Sequence, residues 1–141
     1  METTILNYII FTGQILLAIL LGGVLGWQRE RIGKSAGPRT YALVSAGSAL
    51  FTLLSVQAFG LGDPARVAAQ IITGIGFLGA GIIIHREGGT VEGLTTAAGL
   101  WAVAAIGMAI GVGWQVEAII VTVLLFLILV VDDNKLVKRK E

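Results

Sequence analysis

The stretch ILNYIIFTGQILLAILLGGVLG, residues 5–26, contains no charged side chain and is mostly apolar. A helix needs roughly 20 residues to cross the hydrocarbon core of a bilayer, and this stretch is long enough. Only α-helices and closed barrels satisfy their backbone hydrogen bonds in lipid, and the run lacks the alternation of a barrel strand. It therefore predicts a transmembrane helix. The first four residues carry no positive charge and the basic residues follow the stretch, so we do not interpret it as a cleavable signal peptide.

Four more apolar stretches follow, and only the last contains a charged residue, Glu117. The five predicted spans are 5–26, 41–59, 67–84, 94–113 and 116–131. Together they predict an all-α membrane protein, a bundle of five transmembrane helices within residues 1–131, followed by a basic tail, 132–141. The composition agrees with this class, because 55% of the 141 residues are hydrophobic and 13% are charged. In soluble domains about a quarter of the residues are charged.

The basic residues lie almost entirely on one side of this predicted domain. Five spans place the linkers 27–40 and 85–93 on the same side as the tail. That side contains nine basic residues: Arg29, Arg31, Lys34, Arg39, Arg86, Lys135, Lys138, Arg139 and Lys140. The opposite side contains Arg66 alone. By the positive-inside rule the N-terminus lies outside and the tail is cytoplasmic.

Several classes of function are disfavoured. Ten basic residues against nine acidic ones form no nucleic-acid surface, and nothing resembles the nucleophile and base of an enzyme. The absence of cysteine excludes disulfides and thiolate metal sites. Gly74, Gly76 and Gly79 match a dinucleotide fingerprint, but they lie inside an apolar run without a preceding strand, so we reject a nucleotide site. Together with Gly81 they are better explained as residues for close helix packing. No cofactor is implied with certainty.

Small and polar residues recur along one side of three predicted helices, at spacings of three and four. The three stripes are Gln14, Ala18, Gly22, Gly26; Ser45, Ser48, Thr52, Ser55; and Gln70, Thr73 or Gly74, Phe77, Gly81. We expect them to be inner, protein-facing surfaces, since small residues let helix backbones approach closely. The first stripe also suggests a homo-oligomer. A hydrophilic pathway lined by these polar residues remains the alternative to packing.

Charged residues near the outer surface give a second set of candidates. Asp63, Arg66 and Gln70 follow one another at spacings of three and four, so we expect one functional cluster on one side of the third helix. The alternative is structural, because Asp63 followed by Pro64 is a typical start of a helix. Glu117, at the edge of the fifth span, is a further candidate by its position, and simple solvation explains it equally well.

Five segments of the sequence together resemble the MgtC/SapB family of membrane proteins. They are GWQRER (26–31), GKSAGPRT (33–40), ALVSAGSALF (42–51), DPARVAAQIITGIGFLGAG (63–81) and VEGLTTAAGLW (91–101). The resemblance implies a multi-pass protein of the bacterial cytoplasmic membrane linked to growth in low magnesium. In pathogenic relatives, the family is also linked to survival inside host cells and to restraint of the F-type ATP synthase.

The family's characteristic polar positions map onto Arg29, Glu30, Arg39, Thr40, Asp63, Arg66, Gln70, Glu87 and Thr95. Some relatives have Asn at the position of Thr95. A role of the Asn side-chain amide in those relatives is therefore hard to transfer to this chain. Longer relatives carry a cytoplasmic domain after the fifth span, and functions that reside there cannot be transferred.

Two functions follow as hypotheses. The first is magnesium or ion homeostasis, in which an oligomer passes or senses a cation such as Mg²⁺. The second is a regulator that transports nothing and docks onto another membrane complex, such as the F-type ATP synthase. Mg²⁺ binds through oxygens and keeps several waters, and the carboxylates here lie at both ends of the predicted bundle rather than near its centre. A dehydrated ion at mid-depth in one chain is therefore disfavoured.

Overall fold

The computed structural model describes residues 2–57, 63, 65–87 and 89–131. The predicted basic tail 132–141, the loop 58–62 and Pro64 lie outside the described residues. The helices in these ranges are α1 (Glu2–Arg31), α2 (Pro38–Gln57), α3 (Ala65–Ile82), α4 (Leu94–Gly111) and α5 (Gln115–Val130). The first four are long and apolar enough to cross a membrane, and α5 is a shorter apolar helix of 16 residues. The chain is thus an almost entirely helical membrane protein, as the sequence predicted.

The first helix ends later than predicted, at Arg31 rather than residue 26. It stops in a Schellman motif, in which Lys34 N–H donates to the Arg29 carbonyl at 3.1 Å and Gly33 N–H to the Glu30 carbonyl at 2.9 Å. Gly33 has φ +70°, which favours glycine. Pro38 then occupies the first position of α2, where its missing N–H costs nothing. The predicted linker 27–40 is therefore corrected to residues 32–37.

A two-stranded antiparallel hairpin lies where the sequence predicted an irregular linker, 85–93. Strand β1 (Ile84–His85) pairs with β2 (Val91–Glu92), with Ile84 opposite Glu92. An ion pair joins Arg86 Nε to Glu92 Oε1 at 2.8 Å and supports this register. His85, within the predicted linker, belongs to β1. The hairpin brings the end of α3 next to the start of α4.

Helix α2 lies between α1 and α4, and glycines on both neighbours allow the close approach. A Cβ added at Gly22 of α1 would lie 2.6 Å from the Tyr41 carbonyl oxygen. On the other side, a Cβ added at Gly111 of α4 would lie 2.6 Å from Thr52 Cβ. The residues of the α1 stripe and of the α2 stripe are buried between the helices. The close contacts of the α1 stripe lie within one chain, so they no longer argue for an oligomer.

The third stripe was predicted wrongly. Helix α3 contacts α4 through Ile71, Ile75 and Gly79, while the predicted inner residues are exposed. The exposed set is Gln70, Thr73, Gly74, Phe77 and Gly81. Burial of the two isoleucines removes more apolar surface from solvent than burial of glycines would. This explains why α3 packs through its isoleucine face. Of the predicted packing glycines on α3, Gly79 lies against Ala97, whereas a Cβ added at Gly74, Gly76 or Gly81 would meet nothing within 4 Å.

Candidate functional site

The extra turn of α1 places Arg29 inside the protein. Its side chain is 3% exposed, and its Nη2 donates to Thr96 Oγ1 at 3.3 Å. The Tyr41 hydroxyl lies beside it and donates to the Thr96 carbonyl at 3.4 Å. The Arg29 Nε has no hydrogen-bond partner within the described ranges. The sequence predicted Arg29 in the linker 27–40, and this is corrected: Arg29 lies in α1, at the centre of a buried polar network.

The positive charge of Arg29 has only neutral neighbours in this network. Among the residues that the structure describes, the single ion pair within 4.0 Å joins Arg86 to Glu92. A guanidinium stays protonated in proteins, and an unpaired buried charge costs several kcal/mol. A charge retained at such a cost at the edge of a membrane domain marks a functional candidate.

A cavity of about 580 Å³ opens next to Arg29. It lies at what we call the hairpin end of the bundle, formed by the linker 32–37, the hairpin 84–92 and the first turn of α4, 94–96. Its polar lining consists of Arg29, Lys34, Ser35, Glu92, Thr95 and Thr96. The structure thus brings together Arg29 and Thr95, which the sequence singled out separately.

The candidates Asp63, Arg66 and Gln70 are all exposed at the other end of α3. Asp63 Oδ1 accepts a hydrogen bond from the Ala65 N–H at 3.0 Å, as a helix cap does. No hydrogen bond or ion pair joins the three side chains to one another in the part of the chain that is described. Gln70 lines an otherwise mostly apolar groove of about 540 Å³ between α2 and α3. A shared function of the three residues stays a prediction.

The remaining candidates are dispersed. Glu30, Arg39 and Thr40 are exposed near the α1–α2 linker, Glu87 lies in the hairpin turn, and Glu117 lies in the first turn of α5. The Glu30 carboxylate leans over Gly37, where an added Cβ would lie 3.2 Å from Glu30 Oε1. The described residues contain no group of three His, Asp or Glu side chains that could hold a metal ion.

The sequence did not single out Tyr41 and Thr96, which form the buried network with Arg29, or the buried Gln28 beside it in α1. Gln28 is buried and donates from Nε2 to the Leu129 carbonyl at 2.6 Å, which ties α1 to the last turn of α5. The α1 stripe contained a signal for Arg29, because a residue three positions after Gly26 lies on the same side of a longer helix. The predicted span 5–26 ends before Arg29 and so leaves it out of the stripe.

Similarity to known proteins covers most of the chain. The model of the MgtC family matches residues 15–136. The chain belongs to the MgtC family. This confirms the resemblance stated above. The matched region includes the buried Arg29 network, the hairpin, more than half of α1 and the whole of α2 to α5.

Individual relatives support the membership. An Escherichia coli K12 protein named "Putative magnesium transporter YhiD" is 45% identical over 128 residues, which cover 84% of this chain and 59% of the relative. Protein MgtC of Brucella abortus is 50% identical over 106 residues, 75% of this chain and 44% of the relative. Protein MgtC of Salmonella typhimurium is 47% identical over 111 residues, 79% of this chain and 47% of the relative. The chain spans about half the length of these curated MgtC-family relatives. No solved structure matches it.

Proposed function

We propose that the protein is a component of magnesium homeostasis in a bacterial cytoplasmic membrane, where an oligomer of the chain passes or senses Mg²⁺. The observation that carries this proposal is the 45% identity, over 84% of the chain, to the protein named "Putative magnesium transporter YhiD". Four helices are long and apolar enough to cross a membrane, and the region aligned with this relative contains most of their length, which supports the proposal.

The proposal includes an orientation, with the N-terminus outside and the basic tail in the cytoplasm. Five described basic residues belong to the hairpin end or its immediate flanks: Arg29, Arg31, Lys34, Arg39 and Arg86. Arg66 lies at the start of α3, at the opposite end. Gln28 bonds to the carbonyl of Leu129, so the last turn of α5 lies near the hairpin end. A cytoplasmic hairpin end then satisfies the positive-inside rule.

A second chain enters the proposal because several polar side chains in the membrane-spanning part of one chain already bond within that chain. Gln14 Nε2 donates to the Ile110 carbonyl at 2.9 Å, and Thr52 Oγ1 donates to the Ser48 carbonyl at 2.8 Å. The hydroxyl stripe of α2 faces the glycines of α4 at close contact, which supports packing over an aqueous pathway. A hydrated Mg²⁺ would therefore pass between chains, and the open face of α3 is the surface available for that contact.

The experiment is a flux measurement on the purified chain in liposomes that contain a magnesium-sensitive dye. We expect Mg²⁺ entry above that of protein-free liposomes, and a lower rate when Asp63→Asn removes the negative charge at the proposed outer mouth. Entry equal to the protein-free control, from protein shown to be folded and oligomeric, would contradict the passage of Mg²⁺.

The second candidate function is a regulator that docks onto another membrane complex, such as the F-type ATP synthase. The same open face of α3 favours it, because the large apolar side chain of Phe77 is 82% exposed there. A photo-crosslinker at residue 77 separates the two functions in cells. A product of twice the chain's mass supports the oligomer, and a product with a different membrane protein supports docking.

A further inference from the structure

The guanidinium of Arg29 and the N-terminus of α4 meet at one cavity, the cavity of about 580 Å³ at the hairpin end. Arg29 supplies a buried positive charge without a carboxylate partner among the described residues, and its Nε is unpaired. A cavity that contains an uncompensated cation favours an anion. This observation is independent of any property of α4.

Helix α4 adds backbone donors to the same cavity. Its N-cap is Gly93, which has no side chain to accept the free N–H groups of the first turn. Gly93 has φ +92° and an added Cβ would collide with the Ile82 carbonyl, so a capping Ser or Asp does not fit there. The first-turn residues Leu94, Thr95 and Thr96 all line the cavity. The free N–H groups and the helix dipole make the start of an 18-residue helix attractive to anions.

Lys34 and Ser35, which also line the cavity, add two more hydrogen-bond donors. The one carboxylate there is Glu92, and it is held by Arg86 through contacts of 2.8 Å to Nε and 2.9 Å to Nη2. Donors thus come from α1, the linker 32–37 and α4, that is, from several directions. A carboxylate has two oxygens to accept them, whereas a phosphate group has at least three.

We propose that this cavity binds a phosphate group, with Arg29 and the first turn of α4 as its principal donors. The group is either inorganic phosphate or the phosphate of an anionic lipid headgroup, because a cytoplasmic hairpin end lies at the level of the headgroups. The volume is within the range of small-molecule sites, about 300–1,000 Å³. The site does not depend on the magnesium function proposed above.

The first test uses the full chain in a neutral detergent, with inorganic phosphate as the probe and the shift of the thermal unfolding midpoint as the readout. The matched control is Arg31→Gln, which removes the same charge from an exposed residue stacked on Trp27 at 4.0 Å, outside the cavity. We expect phosphate to stabilise the unmodified chain and Arg31→Gln alike. Arg29→Gln and Lys34→Gln should weaken binding about ten-fold or more, as the loss of a charge-assisted hydrogen bond does. Glu92→Gln should bind at least as tightly, because it removes a negative charge from the lining.

The second test identifies the source of the phosphate by measuring the retention of phosphatidylglycerol by mass spectrometry after purification from mixed micelles. Binding of inorganic phosphate indicates a soluble ligand, and retention of phosphatidylglycerol alone, lost in Lys34→Gln, indicates a headgroup. Either result supports the site. The proposal is wrong if neither inorganic phosphate nor phosphatidylglycerol binds. It is also wrong if folded Arg29→Gln and Lys34→Gln bind them as tightly as the unmodified chain does. If Arg29→Gln does not fold, the decision rests on Lys34→Gln and Arg31→Gln, which both change an exposed residue. Equal binding by these two variants overturns the proposal.

Discussion

Two neighbouring glycines of α1 have different surroundings. A Cβ at Gly22 would meet the Tyr41 carbonyl oxygen at 2.6 Å and Ser45 Cβ at 2.9 Å, whereas a Cβ at Gly23 would meet nothing within 4 Å. A single methyl group at position 22 therefore has to push α2 away from α1. Overpacking of this kind typically costs about 1–3 kcal/mol.

We predict that Gly22→Ala lowers the thermal unfolding midpoint of the purified protein by several degrees, because α1 and α2 separate. Gly23→Ala is the matched control, with the same chemical change one residue away in the same helix. It should leave the midpoint unchanged or raise it slightly, since Ala is the better helix former. Equal effects of the two substitutions would show that α1 and α2 do not pack as described.

The charge of Asp63 can be separated from its role as a helix cap. Its Oδ1 accepts from the Ala65 N–H, and an Asn side chain offers the same acceptor without the charge. We predict that Asp63→Asn folds normally but loses most of the growth that the protein supports in low magnesium.

Arg66→Gln should behave like Asp63→Asn in the same growth assay. The double substitution should be milder than the sum of the two if the charges mainly serve each other. Full growth with both single variants, each shown to fold, would leave Asp63 as a cap and remove the proposed cluster.

Arg29 shows what the sequence reveals about a single residue and what it does not. Its position on the α1 stripe could be read from the spacing of Gln14, Ala18, Gly22 and Gly26. Its burial could not, because it depends on Thr96 and the start of α4, which lie 67 residues further along the chain. Long-range contacts of this kind fix the site, and local patterns do not contain them.

At the scale of elements, α1 and α2 were predictable and α3 was not. Small residues at four-residue spacing indicate a close helix contact, and α1 makes that contact with α2. On α3 the same signal appears on the face opposite Ile71 and Ile75, and the apolar face is the one that α4 covers. The hairpin was missed because two-residue strands carry no alternation that a sequence can show.

The open face of α3 gives the prediction for this scale. If a second copy packs there, Gly74→Leu should reduce the oligomer by blocking close approach of the two backbones. Gly76→Leu is the control, because Gly76 is equally free of contacts and lies on a different side of α3. Mass measurement in detergent distinguishes the outcomes. A monomer in the unmodified protein, or an oligomer that survives Gly74→Leu but not Gly76→Leu, would contradict the use of this face.

At the scale of the whole molecule, the number of helices and the membrane class could be predicted, because they depend on local hydrophobicity over each span. The packing order of the helices could not. It depends on which glycines meet which carbonyls, as for Gly107, where an added Cβ would collide with the Ser45 carbonyl. The orientation of the bundle decides on which side of the membrane the phosphate cavity and the Asp63 cluster lie.

Labelling of single cysteines tests that orientation most directly, and the chain offers a clean background because it contains no cysteine. Glu87→Cys places a thiol on the exposed hairpin, and Val112→Cys places one in the exposed turn after α4, at the other end of the bundle. With a membrane-impermeant maleimide on intact cells, we predict that Val112→Cys is labelled at once and Glu87→Cys only after the membrane is opened. Labelling of Glu87→Cys alone in intact cells, or of both thiols from one side, would contradict the proposed orientation.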